Sequence, residues 1–394
     1  MSKKIYSLLA VLLVASLILA ACTPAATPEP TPPAPAAQPT DVQVEPTDVP
    51  VQPTAPPAPT EPPAEATEPP AETTEPTTAA VKACQVTDTG GVDDRSFNET
   101  AWAGVLRAQE ELEVEGLVLE SQQQADYERN INAFIEEDCD LIIPVGFLLA
   151  DATAAAAEQY PDQNFAIVDV DWLDFPNVLG LAFKTDEAAF LAGYAAAAAT
   201  QTGVVGTFGG MQLPTVTIFM DGFAMGVQYY NEQKDTNVEV VGWDPDTQTG
   251  LFTGNFESLD DGRAMAETLM GEGADLIMPV AGPVGLGAAA AAQEAGDVYI
   301  IGVDTDWTIS APEYSAITFT SVVKNMDVAV YEAVEEVVNG TFAGGLFMGT
   351  LENGGVGIAP FYDLETMVPD DLQAELEDLE RQIIAGDIQV SPAP

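Results

Sequence analysis

Leu141-Ile142-Ile143-Pro144-Val145, Ala150 to Gln159 and Phe165-Ala166-Ile167-Val168 decide the fold. They read as strand, helix and strand: two short runs apolar at nearly every position, with an alanine-rich helical stretch between them. Outward on the amino-terminal side, Ala83-Cys84-Gln85-Val86-Thr87 and Leu117-Val118-Leu119 read as strands, and Phe97 to Leu112 and Tyr127 to Glu136 as helices. On the other side a helix is expected over Glu187 to Thr200, after which the alternation restarts. Strands are expected at Gly203–Phe208, Val238–Val241, Leu276–Val280 and Tyr299–Val303, with helices near Phe219–Glu232, Gly262–Met270 and Gly287–Gln293. Such alternation implies right-handed crossovers and buried parallel sheets. Two successive α/β units, doubly wound and of similar length, predict a bilobed chain, because 313 residues exceed what one core serves. The small side chains of Ala195–Ala199 and Ala288–Ala292 suit helices pressed against a sheet, and Leu372–Ile384 predicts a last helix stopped by Gly386.

Before this region lie two segments of other character. Residues 1–21 begin with Lys3 and Lys4 and continue almost wholly apolar, as a secretory signal does. They end in Leu19-Ala20-Ala21-Cys22, which resembles the lipobox of bacterial lipoproteins. That resemblance implies cleavage before Cys22, diacylglycerol on its thiol and attachment to the outer face of the cell membrane. Residues 22–81 are expected to carry the lipidated Cys22 and a tether. Eighteen of the 30 prolines lie in residues 23–80, without Lys or Arg, a composition that stays extended and solvated. The organisation expected beyond it is an N-terminal lobe over 82–202 and a C-terminal lobe over 203–314. Crossover and return segments with a C-terminal helix fill 315–394.

Charge and composition exclude several functions. The chain of 394 residues has 11 Lys+Arg against 63 Asp+Glu, a formal charge of −52, and no His. Nucleic-acid partners require Lys and Arg to neutralise phosphates, so none is expected. Serine–histidine and cysteine–histidine catalysis and imidazole metal ligation are impossible without histidine. No metal or cofactor is expected, and the absence of a P-loop and of basic clusters argues against phosphorylated ligands.

Ligands of doubly wound sheets bind beyond the carboxyl ends of the strands. There this chain repeats Asp, Gly and aromatic residues: Asp88-Thr89-Gly90-Gly91, Val145-Gly146-Phe147, Val168-Asp169-Val170-Asp171-Trp172, Phe208-Gly209-Gly210, Val280-Ala281-Gly282 and Val303-Asp304-Thr305-Asp306-Trp307. The set offers acceptors for hydroxyl groups, close backbone approach and a stacking face. A small, neutral, polar ligand with a flat apolar part fits it.

The segment from Asp88 to Asn98 resembles the opening motif of the basic membrane protein family, substrate-binding lipoproteins of ABC importers that include purine nucleoside receptors. Further matches follow in order at Phe190–Ala195, Val205–Gly210, Ala281-Gly282, Gly302–Asp306 and Thr320–Lys324. The resemblance implies a periplasmic-binding-protein-like fold of type I, two doubly wound sheets joined by a hinge. It also implies a nucleoside in the cleft and partnership with a permease and its cytoplasmic ATPase. Asp88, Phe97 and Asn98 match the base-facing segment, and Asp304 and Lys324 the positions that hold ribose hydroxyls. Asp169 is preferred over Asp171 as a further acceptor because it follows its strand directly. Gly282 completes the main set; Gly146, Gly210, Met278 and Asp306 are weaker candidates. Where the nucleoside receptors often carry an aromatic, Met278-Pro279-Val280 stands here, leaving Trp172, Trp243 or Trp307 to supply a face.

Cys84 opens the first strand and Cys139 precedes the third; in a doubly wound order these are neighbours. A disulfide and a pair of buried thiols are both open, and neither would be catalytic at that end of the sheet. The expected mechanism is hinge closure of a monomer on its ligand, with no enzymatic step. Other readings are a monosaccharide as ligand, a sensor built on the same cleft, and a nucleoside hydrolase using paired carboxylates such as Asp304 and Asp306. The last is disfavoured because alternating residues at a strand end point to opposite sides.

Overall fold

In the computed structural model, which describes residues 80–392, the apolar runs pair into two six-stranded sheets and a short ribbon. The expected signal, Cys22 and all but the last two residues of the tether lie outside the described residues. In chain order the first half gives β1 (Lys82–Val86), α1 (Phe97–Leu112), β2 (Glu115–Leu119), α2 (Tyr127–Glu136), β3 (Leu141–Pro144), α3 (Ala150–Gln159), β4 (Asn164–Val168) and β5 (Val178–Phe183). Then α4 (Thr185–Ala199) leads to β6 (Val204–Gly209), α5 (Pro214–Lys234), β7 (Glu239–Val241) and the ribbon of β8 (Trp243–Asp244) and β9 (Thr249–Gly250). The remainder is α6 (Leu259–Gly271), β10 (Leu276–Val280), α7 (Val284–Ala295), β11 (Tyr299–Asp304), α8 (Trp307–Ser310), β12 (Thr318–Lys324), α9 (Met326–Val338), β13 (Gly345–Gly349), β14 (Val356–Ile358) and α10 (Leu372–Ile384).

The strand orders are β2-β1-β3-β4-β5-β13 and β7-β6-β10-β11-β12-β14, and every pair is parallel except β12–β14. Each sheet is therefore doubly wound in the same sense, and β4 and β11 hold equivalent places. The helices that join the lobes are exchanged. After β5 of the first sheet, α4 packs on α5, β12 and β14 of the second; after β12 of the second sheet, α9 packs on α1 and β5 of the first. The chain crosses a third time between β13 and β14. Three chain connections thus join the two lobes.

The alanine content of α4 has its use here: 13 of its 15 residues are buried. Its contact with α5 is closest at Gly193 and Gly226, where an added Cβ would lie 2.0 Å from the carbonyl oxygens of Phe223 and Phe190. Cys84 and Cys139 form a disulfide, tying β1 to the turn before β3. No helix among the described residues is long and apolar enough to cross a membrane.

Candidate functional site

Facing carboxyl ends of the two sheets enclose a cleft of about 640 Å³ including the open solvent at its mouth. The first sheet contributes Asp88 after β1, Gly146 and Phe147 after β3 and Asp169 after β4; Asp94, Phe97 and Asn98 come from the start of α1. The second sheet contributes Val280 to Pro283 after β10, Val303 and Asp304 at the end of β11 and Lys324 at the end of β12. Phe219 of α5 and Phe256 add two aromatic side chains. Asp88, Phe97, Asn98, Asp169, Gly282, Asp304, Lys324 and Gly146 are thus brought together.

The acidic groups are placed by backbone geometry. Asp169 and Asp304 both have left-handed backbone conformations, φ +66° and +69°, which Asp tolerates better than most side chains. Gly146 adopts φ +121°; a Cβ there would lie 3.4 Å from Asp88 Oδ2 and 3.5 Å from the Phe97 ring. The turn before α1 is wound around the buried Asp94. Its carboxylate accepts hydrogen bonds from the backbone N–H of Ser96, Asn98 and Glu99 and from the Asn98 amide. Asn98 Nδ2 also donates to Asp88 Oδ1 at 2.7 Å.

Polar and cation–ring contacts join the lobes across the cleft and at its rim. Ser96 Oγ donates to Asp304 Oδ2 at 2.8 Å. Lys324 Nζ, from the second sheet, lies 2.5 Å from Asp169 Oδ1 of the first, and their side chains are 2% and 10% exposed. Removing either member of such a buried pair leaves an uncompensated charge. Lys324 Nζ also stands 4.8 Å from the centre of the Phe97 ring. Arg95 and Glu313 form an exposed ion pair at the rim.

Burial raises the carboxyl groups of Asp88 and Asp304 above the usual range. Asn98 and Gly90 oppose the shift at Asp88, and Lys324 and Ser96 at Asp304. Burial pushes Asp94 up to about 7 against its backbone hydrogen bonds. Among the described residues, no protein donor reaches Asp88 Oδ2 or Asp304 Oδ1. Donor groups on a ligand would satisfy these oxygens and stabilise their ionised forms.

Several candidates stand elsewhere. Met278 is fully buried inside β10, and Gly210 is held against the strand by its N–H to Val280 O, with Phe256 over it. Asp306 turns away to cap α8, accepting from the Thr308 N–H and the Tyr362 hydroxyl, so it forms no carboxylate pair with Asp304. Asp171 lines an adjoining chamber. Trp243 and Trp307 are core residues, 4% and 1% exposed, and Phe219 and Phe256 supply the second lobe's aromatic faces instead. Ser96, Asp94, Phe219 and Phe256 were missed. The Asp94–Asn98 spacing ahead of an amphipathic helix was a usable sign of the first two.

A cleft of this kind between two doubly wound sheets with three crossings defines a solute-binding protein of the periplasmic-binding-protein type. Residues 81–393 match the model of the Bmp family, ABC transporter substrate-binding protein PnrA-like, and the chain belongs to that family. It is 33% identical over 294 residues to the ABC transporter nucleoside-binding protein BmpA of Lactococcus lactis subsp. cremoris, covering 70% of this chain and 80% of that one. It is 34% identical over 307 residues to basic membrane protein A of Borreliella burgdorferi, covering 76% and 85%. Among solved structures, an ABC transporter system solute-binding protein from Aeropyrum pernix superposes with a TM-score of 0.72 at 30% identity, over 80% of this chain and 94% of that one. The family consists of substrate-binding proteins of ABC transporters, not enzymes.

Proposed function

We propose that this chain captures a nucleoside, a purine nucleoside foremost, outside the cytoplasm and delivers it to an ABC permease driven by a cytoplasmic ATPase. The observation that carries this reading is the cleft's polar set: Asp88, Asn98, Asp169, Asp304 and Lys324 gathered around the Phe97 ring. A base stacked on Phe97 would gain on the order of 1–3 kcal/mol. Its ring N–H or amino groups would donate to Asp88. A carboxylate accepting from two vicinal hydroxyls makes directional, charge-assisted bonds, and Asp304 is the residue for that role, with Lys324 donating to ribose oxygens. Asp88, Asp94, Asp169 and Asp304 face a single lysine in the cleft, so a phosphorylated ligand would meet repulsion.

Ligand held by both lobes favours the closed arrangement by its differential affinity for it, and the closed shape is what the permease would recognise. Lipid on Cys22 and the proline-rich tether would keep a monomeric receptor on its membrane while it samples the surroundings.

Calorimetric titration with purine and pyrimidine nucleosides, free bases, nucleoside monophosphates and monosaccharides tests the reading. Purine nucleosides should bind at one per chain, and monophosphates more weakly by at least about tenfold, roughly 1.4 kcal/mol. Binding of a monosaccharide in preference to every nucleoside would contradict it.

A further inference from the structure

Lys324, Asp169, Phe147 and Thr215 are a shared wall: beyond them the cleft continues into a second chamber of about 930 Å³ including its mouth. Phe183, Ile218, Met348 and Trp172 give this chamber an apolar lining, and Lys184 and Thr185 stand in it at the start of α4. Two observations there call for a partner. Thr185 is 1% exposed and its hydroxyl makes no hydrogen bond, a costly state for a buried polar group. Trp172 keeps half its surface exposed although its ring lies against Phe147, centroids 4.9 Å apart.

We infer that the second chamber is a subsite for a substituent on the 5′ end of the nucleoside sugar, an uncharged group with an apolar body and a hydrogen-bond acceptor. This rests on the nucleoside reading above, because the shared wall includes Lys324 and Asp169, groups assigned to the sugar. With the vicinal hydroxyls on Asp304, which lines the first chamber and not the second, the 5′ carbon would be the part of the sugar left to face the second chamber. Trp172, Ile218 and Met348 would cover the apolar body, and the Thr185 hydroxyl would donate to the acceptor. Two lysines and two aspartates, Lys184, Lys324, Asp169 and Asp171, balance on the lining, which favours a group without charge. The substrate class would therefore include 5′-modified nucleosides as well as the parent compounds.

The test is calorimetry on the folded protein with adenosine and guanosine, each beside its 5′-N-ethylcarboxamide analogue. The extended analogue of whichever parent binds should match it to within about threefold. Ile218→Trp, which fills the second chamber and not the first, should weaken the analogue at least about tenfold while shifting the parent less than about twofold. If Ile218→Trp fails to fold, tryptophan emission decides. The analogue, not the parent, should shift the emission to the blue, and Trp172→Phe should remove that shift. A parent that binds while its analogue does not, or an emission response identical for both, overturns this inference and leaves the nucleoside reading intact. Failure of every parent nucleoside to bind overturns both.

Discussion

Val168-Asp169-Val170-Asp171-Trp172 and Val303-Asp304-Thr305-Asp306-Trp307 end equivalent strands of the two sheets, yet only their first aspartates behave alike. Asp169 and Asp304 both turn left-handed into the cleft. After them the segments part. In the second lobe Asp306 caps α8, and Trp307 is buried with its ring N–H donating to Val303 O and its backbone N–H to Ser321 Oγ. In the first lobe no helix follows, and Trp172 stays half exposed beside Phe147. The cause lies one residue upstream. Trp307 packs on Gly302, where a Cβ would come within 2.5 Å of its ring. The first lobe has a fully buried Ile167 at that place, whose side chain takes the room an inward-folded tryptophan would need. A repeated sequence thus keeps the part that faces the cleft and diverges in the part used for packing.

The sharpest way to break this comparison is to truncate the two tryptophans. Trp307→Ala should lower unfolding free energy by about 3–5 kcal/mol, and Trp172→Ala by less than about 1 kcal/mol, in urea denaturation. Equal losses would show that the two segments pack alike after all. The two leading aspartates should separate next. Asp169→Ala leaves Lys324 buried without its partner and should cost about 3 kcal/mol of stability. Asp304→Ala removes a carboxylate that burial already holds in an unfavourable state, so stability should hold or rise. Its nucleoside affinity should nonetheless fall by about a hundredfold, near 2.7 kcal/mol, by calorimetry. A smaller contrast is expected at the second aspartates. Asp306→Ala loses a helix cap, about 1 kcal/mol, while Asp171→Ala should leave the melting temperature unchanged.

A further contrast lies in the response to pH. Asp88, Asp94 and Asp304 hold protons more tightly folded than unfolded. Stability of the ligand-free protein should therefore rise as pH falls through about 7, the value for Asp94, by up to about 1.4 kcal/mol per pH unit for one such group. Nucleoside affinity should fall as pH falls, because ligand donors favour the ionised forms of Asp88 and Asp304. Asp94→Asn should flatten the stability slope in melts recorded across that range.

Much of the fold was legible because helices with one apolar face declare their own limits: α1, α2, α3 and α10 begin and end where the spacing placed them. Strand β5 was not, since Gly180 interrupts its apolar run and residues 169–177 provide no helix to mark the alternation. Strand β13, Gly345–Gly349, reads as a loop from its flanking glycines, and only pairing with β5 makes it a strand. In the site, strand-end residues such as Asp88, Asp169 and Asp304 could be read locally. Phe219 and Phe256 could not, because their places depend on how one lobe meets the other. Met278 and Asp306 misled for the converse reason: beside a strand end, sequence alone does not distinguish a core or capping residue from one facing a ligand.

The most direct measurement is mass spectrometry of the protein purified under native conditions, before and after release of bound small molecules. One purine nucleoside per chain, retained by the wild type and lost from Asp304→Ala, is the predicted result. A retained sugar, or a nucleoside held equally well without the Asp304 carboxylate, would contradict the proposed grip of the cleft.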